Sequence, residues 1–178
     1  MNHEPGLIPL SDEERRAIGL WAAECAAQAL PHFEAHAPAD TRPRAAIDGI
    51  RDYARGGKRT AHLRSLALAA LAAAREAGEP AATAAARAAG YAAATAYMHP
   101  TAPADHQAKH AFGPAVYGAL AAELAAGGAI AAGVAAIEWA VEHASPPVRD
   151  LVRRMPARGA GRSRLDALYH QLDAGLRR

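Results

Sequence analysis

The 178-residue chain is 51% hydrophobic and 21% charged, with 52 alanines, one cysteine and a formal net charge of +2. Its length allows one domain with a real core, or one domain with a short appendage. A single cysteine excludes an internal disulfide and a cysteine-built zinc site, and points to a reducing cytoplasm.

Alanine is the best helix former but a weak hydrophobe. The chain is therefore expected to fold as closely packed helices, with a few Leu, Ile and Trp side chains supplying most of the burial energy. "MNHEPGLIPLSDEERR" lacks the basic start and apolar run of a signal peptide. The mostly Ala/Gly stretch "GALAAELAAGGAIAAGVAAIEWAV" carries Glu123 and Glu138 and reads as a buried helix, so no membrane partner is expected.

In chain order, Ser11 and Glu14 form an S-x-x-E capping box that opens a first helix. Ile18, Trp21, Ala22, Cys25 and Ala29 share one face of it, and Pro31 is expected to end it near Leu30. Asp40 or Thr41 caps a second helix with Pro43 in its first turn, and Gly56-Gly57 stops it. Thr60 opens a third, with an apolar stripe of Leu63, Leu66, Ala67, Ala70, Leu71 and Ala74, closed at Gly78.

Pro80 starts a fourth helix whose only charge is Arg87, so it is expected to lie centrally among the others. Gly90 in its middle costs helix propensity, which a close helix approach would offset. Helices over 104–126 and 129–143 follow, divided by Gly127-Gly128, and Pro114 should kink the first of them or mark its start. A short segment from Pro146-Pro147 to Met155, a flexible "ARGAGRS" joint and an amphipathic last helix complete the chain. No strand pattern occurs. The expectation is an all-α compact bundle of about seven helices, with residues 1–145 as the bundle and 146–178 as a basic helical extension.

Residues 149–178 hold eight Arg against three Asp, which leaves the body mildly acidic. The tail lacks interleaved aromatics and lysine clusters, so a solvated helix face is expected rather than a nucleic-acid partner.

His106 and His110, spaced i, i+4, can share one helix face. With His99, or with His62 or His32, they make a candidate three-imidazole metal site with an open position. No H-E-x-x-H, G-x-S-x-G or P-loop pattern accompanies them. Cys25 lies on the core side of its helix and reads as a structural thiol. No catalytic residues and no cofactor are expected. Arg42 and Arg44 are expected to pair with Glu34, Asp40 and Asp48.

"LPHFEAHAPADTRPRAAI" (30–47), "AARAAGYAAATAYMHP" (85–100) and "HQAKHAFGPAVYGALAAEL" (106–124) resemble the Imm5-like family of bacterial proteins predicted to act as immunity proteins beside polymorphic toxins. The resemblance runs over roughly residues 10–126. It implies a non-enzymatic protein that binds and neutralises a cognate protein toxin. Its polar positions here are Phe33, Glu34, Asp40, Arg42, Arg44, Arg87, His99 and His110, either holding the helices together or touching the partner.

Inhibitors of nucleases are often acidic, and the net charge of +2 argues against a nuclease partner. Tyr97, Tyr117 and the basic tail are candidate contact elements. Two other readings stand beside the antidote: a metal-dependent helical enzyme using His99, His106 and His110, and a helical scaffold or self-association module. Small-residue helix faces also suit a homodimer.

Overall fold

The computed structural model describes residues 8–98 and 104–178, with the side chains of residues 104 and 105 excepted. The described residues form eight α-helices: α1 (Asp12–His36), α2 (Arg42–Ala54), α3 (Ala61–Glu76), α4 (Pro80–Ala94), α5 (Ala104–Ala125), α6 (Ile130–Glu142), α7 (Pro146–Arg154) and α8 (Arg164–Arg177). A 3-10 turn, Thr95–Tyr97, extends α4, and no strand occurs among the described residues. The expected count of about seven is one short, because the short segment that begins at Pro146 is itself a helix, α7.

Local signals account for most of the boundaries. Ser11 accepts the Glu14 amide at 3.1 Å and Glu14 accepts the Ser11 amide at 2.7 Å, closing the capping box of α1. Ser163 and Asp166 repeat the device at α8. Thr60 caps α3, and both oxygens of Glu79 accept amides of α4. Gly56, Gly78, Gly127 and Gly128 have positive φ, the left-handed geometry that ends helices after α2, α3 and α5.

Pro31 does not end its helix as expected, and Pro114 does not mark the start of α5. α1 continues through Pro31 to His36, and α5 runs through Pro114. An interior proline removes one helical hydrogen bond and costs about 3 kcal/mol. Continuing α1 buries Phe33, which is 1% exposed, and burying a side chain of that size stabilises by about 1.5–3 kcal/mol. Tertiary burial thus offsets most of the local penalty.

α4 packs against α1, α2, α3 and α5. Ten of its residues are buried, nine alanines and Gly90. A Cβ at Gly90 would lie 2.7 Å from Leu71 Cδ2 and 3.2 Å from the Ala67 carbonyl oxygen. The glycine therefore admits α3 at close range, as its position in the pattern predicted.

Larger side chains fill the flanks. Ile47, Ile50, Tyr53 and Leu63 pack where α2 and α3 meet α1 and α4. Trp21, Phe112, Ile137, Leu151, Leu168 and Leu172 join α1, α5, α6, α7 and α8. The Trp21 indole N–H donates to the Ala140 carbonyl at 2.8 Å, tying α1 to α6. No helix among the described residues is long and apolar enough to cross a membrane.

Candidate functional site

Those of the family-like polar residues that are described fall into two separate groups. The first lies where α1, α2 and α3 meet. Arg44 of α2 donates to both oxygens of Glu34 in the last turns of α1, at 2.6 and 2.7 Å. Arg42 contacts both oxygens of Asp40, through Nε at 2.9 and 3.1 Å, and donates Nη2 to Glu76 of α3 at 2.6 Å. Hydrogen bonding to Arg42 holds the Asp40 and Glu76 carboxyls below their usual range. Phe33 is buried close by in sequence, on the same turn of α1 as Glu34. Asp48, expected in this cluster, instead lies 3.5 Å from Arg51, which also reaches Glu24 at 3.0 Å.

The second group is a line of rings across α4 and α5. Tyr91 and Tyr117 stack with centroids 5.4 Å apart and planes 10° from parallel. The Arg87 guanidinium sits 5.7 Å from the Tyr117 ring centroid. His110 meets Tyr91 edge-on at 6.0 Å, and its Nε2 lies 3.1 Å from Nε2 of His106. Gly113 leaves room for this stack, since a Cβ there would be 2.9 Å from Tyr91 Cγ.

Burial bears on the protonation of His110. Its Nδ1 is buried without a hydrogen-bond partner among the described residues. An N–H on Nδ1 would be a buried donor without a partner. Protonating His110 would create that unpaired donor. Burial, and secondarily His106, accordingly pull its pKa below the usual histidine value.

Of the expected imidazole triad, the structure brings His106 and His110 together, while His99 lies outside the described residues. Among the described residues no group of three or more His, Cys, Asp or Glu side chains is placed to hold a metal ion. A hollow of about 240 Å³ between α1, α5 and α6 is lined by Cys25, Gln28, Gly118 and Trp139. Burial pushes the Cys25 thiol far above its ordinary pKa, so it stays protonated and is a poor nucleophile.

The basic charge is arranged differently from the sequence expectation. Six of the eight tail arginines make a contact within the fold, while Arg153, Arg154, Arg162 and Arg178 are exposed. Arg149 donates to the Val141 carbonyl, Arg154 pairs with Glu14, Arg164 with Glu123, and Arg177 with Asp173. Arg158 covers the Tyr169 ring at 4.5 Å.

Exposed cations collect instead at the α2–α3 corner. Arg55, Lys58, Arg59 and Arg64 are all exposed there and have no carboxylate partner among the described residues. Arg64 and Arg59 lie 4.7 and 5.9 Å from the Tyr97 ring centroid, Arg59 reaches the Ala96 carbonyl at 3.3 Å, and the Tyr97 hydroxyl donates to the Thr60 carbonyl. A sequence signal for this corner existed: no acidic residue occurs between Asp52 and Glu76.

Compared with known proteins, residues 9–147 match the family model described as "Imm-5 like putative immunity protein". The match spans α1 to α6 and contains both polar groups. No curated protein and no solved structure matches the chain.

Proposed function

Since the chain belongs to the Imm5-like family, we propose that it is a bacterial immunity protein that binds a cognate toxin and neutralises it by occupying its surface. The family match over residues 9–147 carries this reading. Neutralisation by docking needs a stiff framework and about 800 Å² of surface per partner, roughly a tenth of the 8704 Å² available here. Methyl-packed helices around α4 provide the stiffness. The action is non-catalytic and cytoplasmic, where a lone unpaired thiol such as Cys25 is at home.

We also read residues 146–178 as an extension packed on a bundle formed by residues 1–145. The end of the family match at residue 147 and the full burial of Leu168, Leu172 and Leu176 support that division.

Expression of the toxin encoded beside this chain, alone and together with it, tests the reading. Rescue of growth by the chain, with a stoichiometric complex on gel filtration, is the expected result. A toxin that kills equally in its presence sinks the proposal. Light scattering on the same preparation reads whether the free protein is a dimer.

The His106–His110 pair favours one competing reading, a metal-dependent helical enzyme. Metal analysis of untagged protein separates the two, because a stoichiometric transition metal would replace the antidote assignment.

A further inference from the structure

We propose that the α2–α3 corner is the docking surface for the toxin, and that it receives an acidic protein surface. This rests on the neutralisation reading above.

Arg55, Lys58, Arg59 and Arg64 lie within ten residues of chain, and all four are exposed. The segment from 53 to 75 carries five basic residues and no acidic one. Elsewhere the fold pairs its exposed arginines Arg44 and Arg153, and its half-buried Arg42 and Arg51, with carboxylates. Leaving four cations together keeps a local positive field that complementary carboxylates would discharge on contact.

The corner is also partly pre-ordered. The Tyr97 ring holds Arg64 and Arg59 by cation–π contact, and its hydroxyl is fixed to Thr60. Two of the guanidinium groups therefore lose less freedom on binding.

One turn along α3 from Arg64 stands Leu68, 61% exposed and the most exposed large apolar side chain described. An arginine one turn from an exposed leucine suits a protein interface, with an apolar contact rimmed by charge. It suits nucleic acid less well. The Tyr97 ring is already engaged by arginine, so it is not open for base stacking, and Leu68 would face a phosphate backbone. The partner surface is therefore rich in Asp and Glu.

The test is a binding titration of the purified chain against the toxin encoded beside it, at about 150 mM salt. The double variant R59E/R64E is expected to bind at least about 100-fold more weakly, and L68D about tenfold or more. The control R162E/R178E, with the same charge change at exposed sites of the tail, binds like the parent chain. Should R59E/R64E fail to fold by circular dichroism, R59Q and R64Q are measured singly, each expected to weaken binding about tenfold.

Absence of any complex with the unaltered chain removes the neutralisation reading and this inference together. A complex indifferent to R59E/R64E, or to both single variants, overturns the inference alone. A 20-base-pair DNA duplex bound through these arginines while the toxin binds elsewhere overturns it in favour of a nucleic-acid surface.

Discussion

Arg164 of α8 grips Glu123 of α5 through Nε, at 3.0 and 2.9 Å from the two carboxylate oxygens, and through Nη2 at 2.7 Å. The Glu123 side chain is only 8% exposed, and α6 crosses it at Gly133, where a Cβ would lie 2.5 Å from Oε2. An acid in the last turn of an alanine-rich helix is thus covered by one helix and neutralised by another.

R164A should leave that carboxylate without its cation. Breaking a buried pair costs about 3–5 kcal/mol, and partial exposure of Arg164 reduces the expected loss to about 2 kcal/mol. Urea denaturation measures it. The double variant R164M/E123L should recover most of the loss, whereas a fully stable R164A would show that water already compensates the acid.

G90A pits two effects against each other. Alanine is the better helix former by about 1 kcal/mol. The added methyl, however, meets Leu71 Cγ and Cδ2 at 2.7 Å, and overpacking of this kind costs about 1–3 kcal/mol. A lower melting temperature is expected, partly restored by L71A. A gain in stability would mean that α3 moves freely over α4.

For His110, the folded pKa lies below the unfolded one because burial disfavours the imidazolium. The unfolded chain therefore binds the proton more readily. The contribution to stability is present above about pH 6.5, the ordinary histidine value, and is lost as pH falls through the folded pKa. Stability of the H110F variant should fall less between pH 7 and pH 5 than that of the parent. Parallel pH curves for the two proteins would contradict the assignment of a buried neutral ring.

The Arg44–Glu34 contact is bidentate, yet Arg44 is 53% and Glu34 32% exposed. Such surface pairs contribute about 0–1 kcal/mol. R44A should leave the denaturation midpoint nearly unchanged. If R44A nevertheless abolished protection against the toxin, the residue would belong to the contact face rather than to the scaffold.

Elements whose causes are local were legible in the chain. The Ser11–Glu14 box, the glycine stops at 56, 78 and 127–128, and the burial of α4 around Gly90 all follow from neighbours within a turn or two. Pro31 misled because its local penalty is offset by Phe33, whose burial depends on helices far along the chain. Tail arginines misled for the same reason. Arg154 finds Glu14 across 140 residues and Arg164 finds Glu123 across 41, and no spacing rule encodes either pair. The Arg87–Tyr117–Tyr91–His110 line likewise exists only once α4 and α5 lie side by side.

The glycine-and-methyl seam of α4 constrains how this protein can change over generations. Its inward positions are already near the smallest side chains available, so almost any replacement there enlarges the seam and forces neighbouring helices apart. Variation is channelled outward, onto exposed positions such as those along α3, which can be rewritten without moving a backbone. The skin of such a fold can be edited while its skeleton stays put.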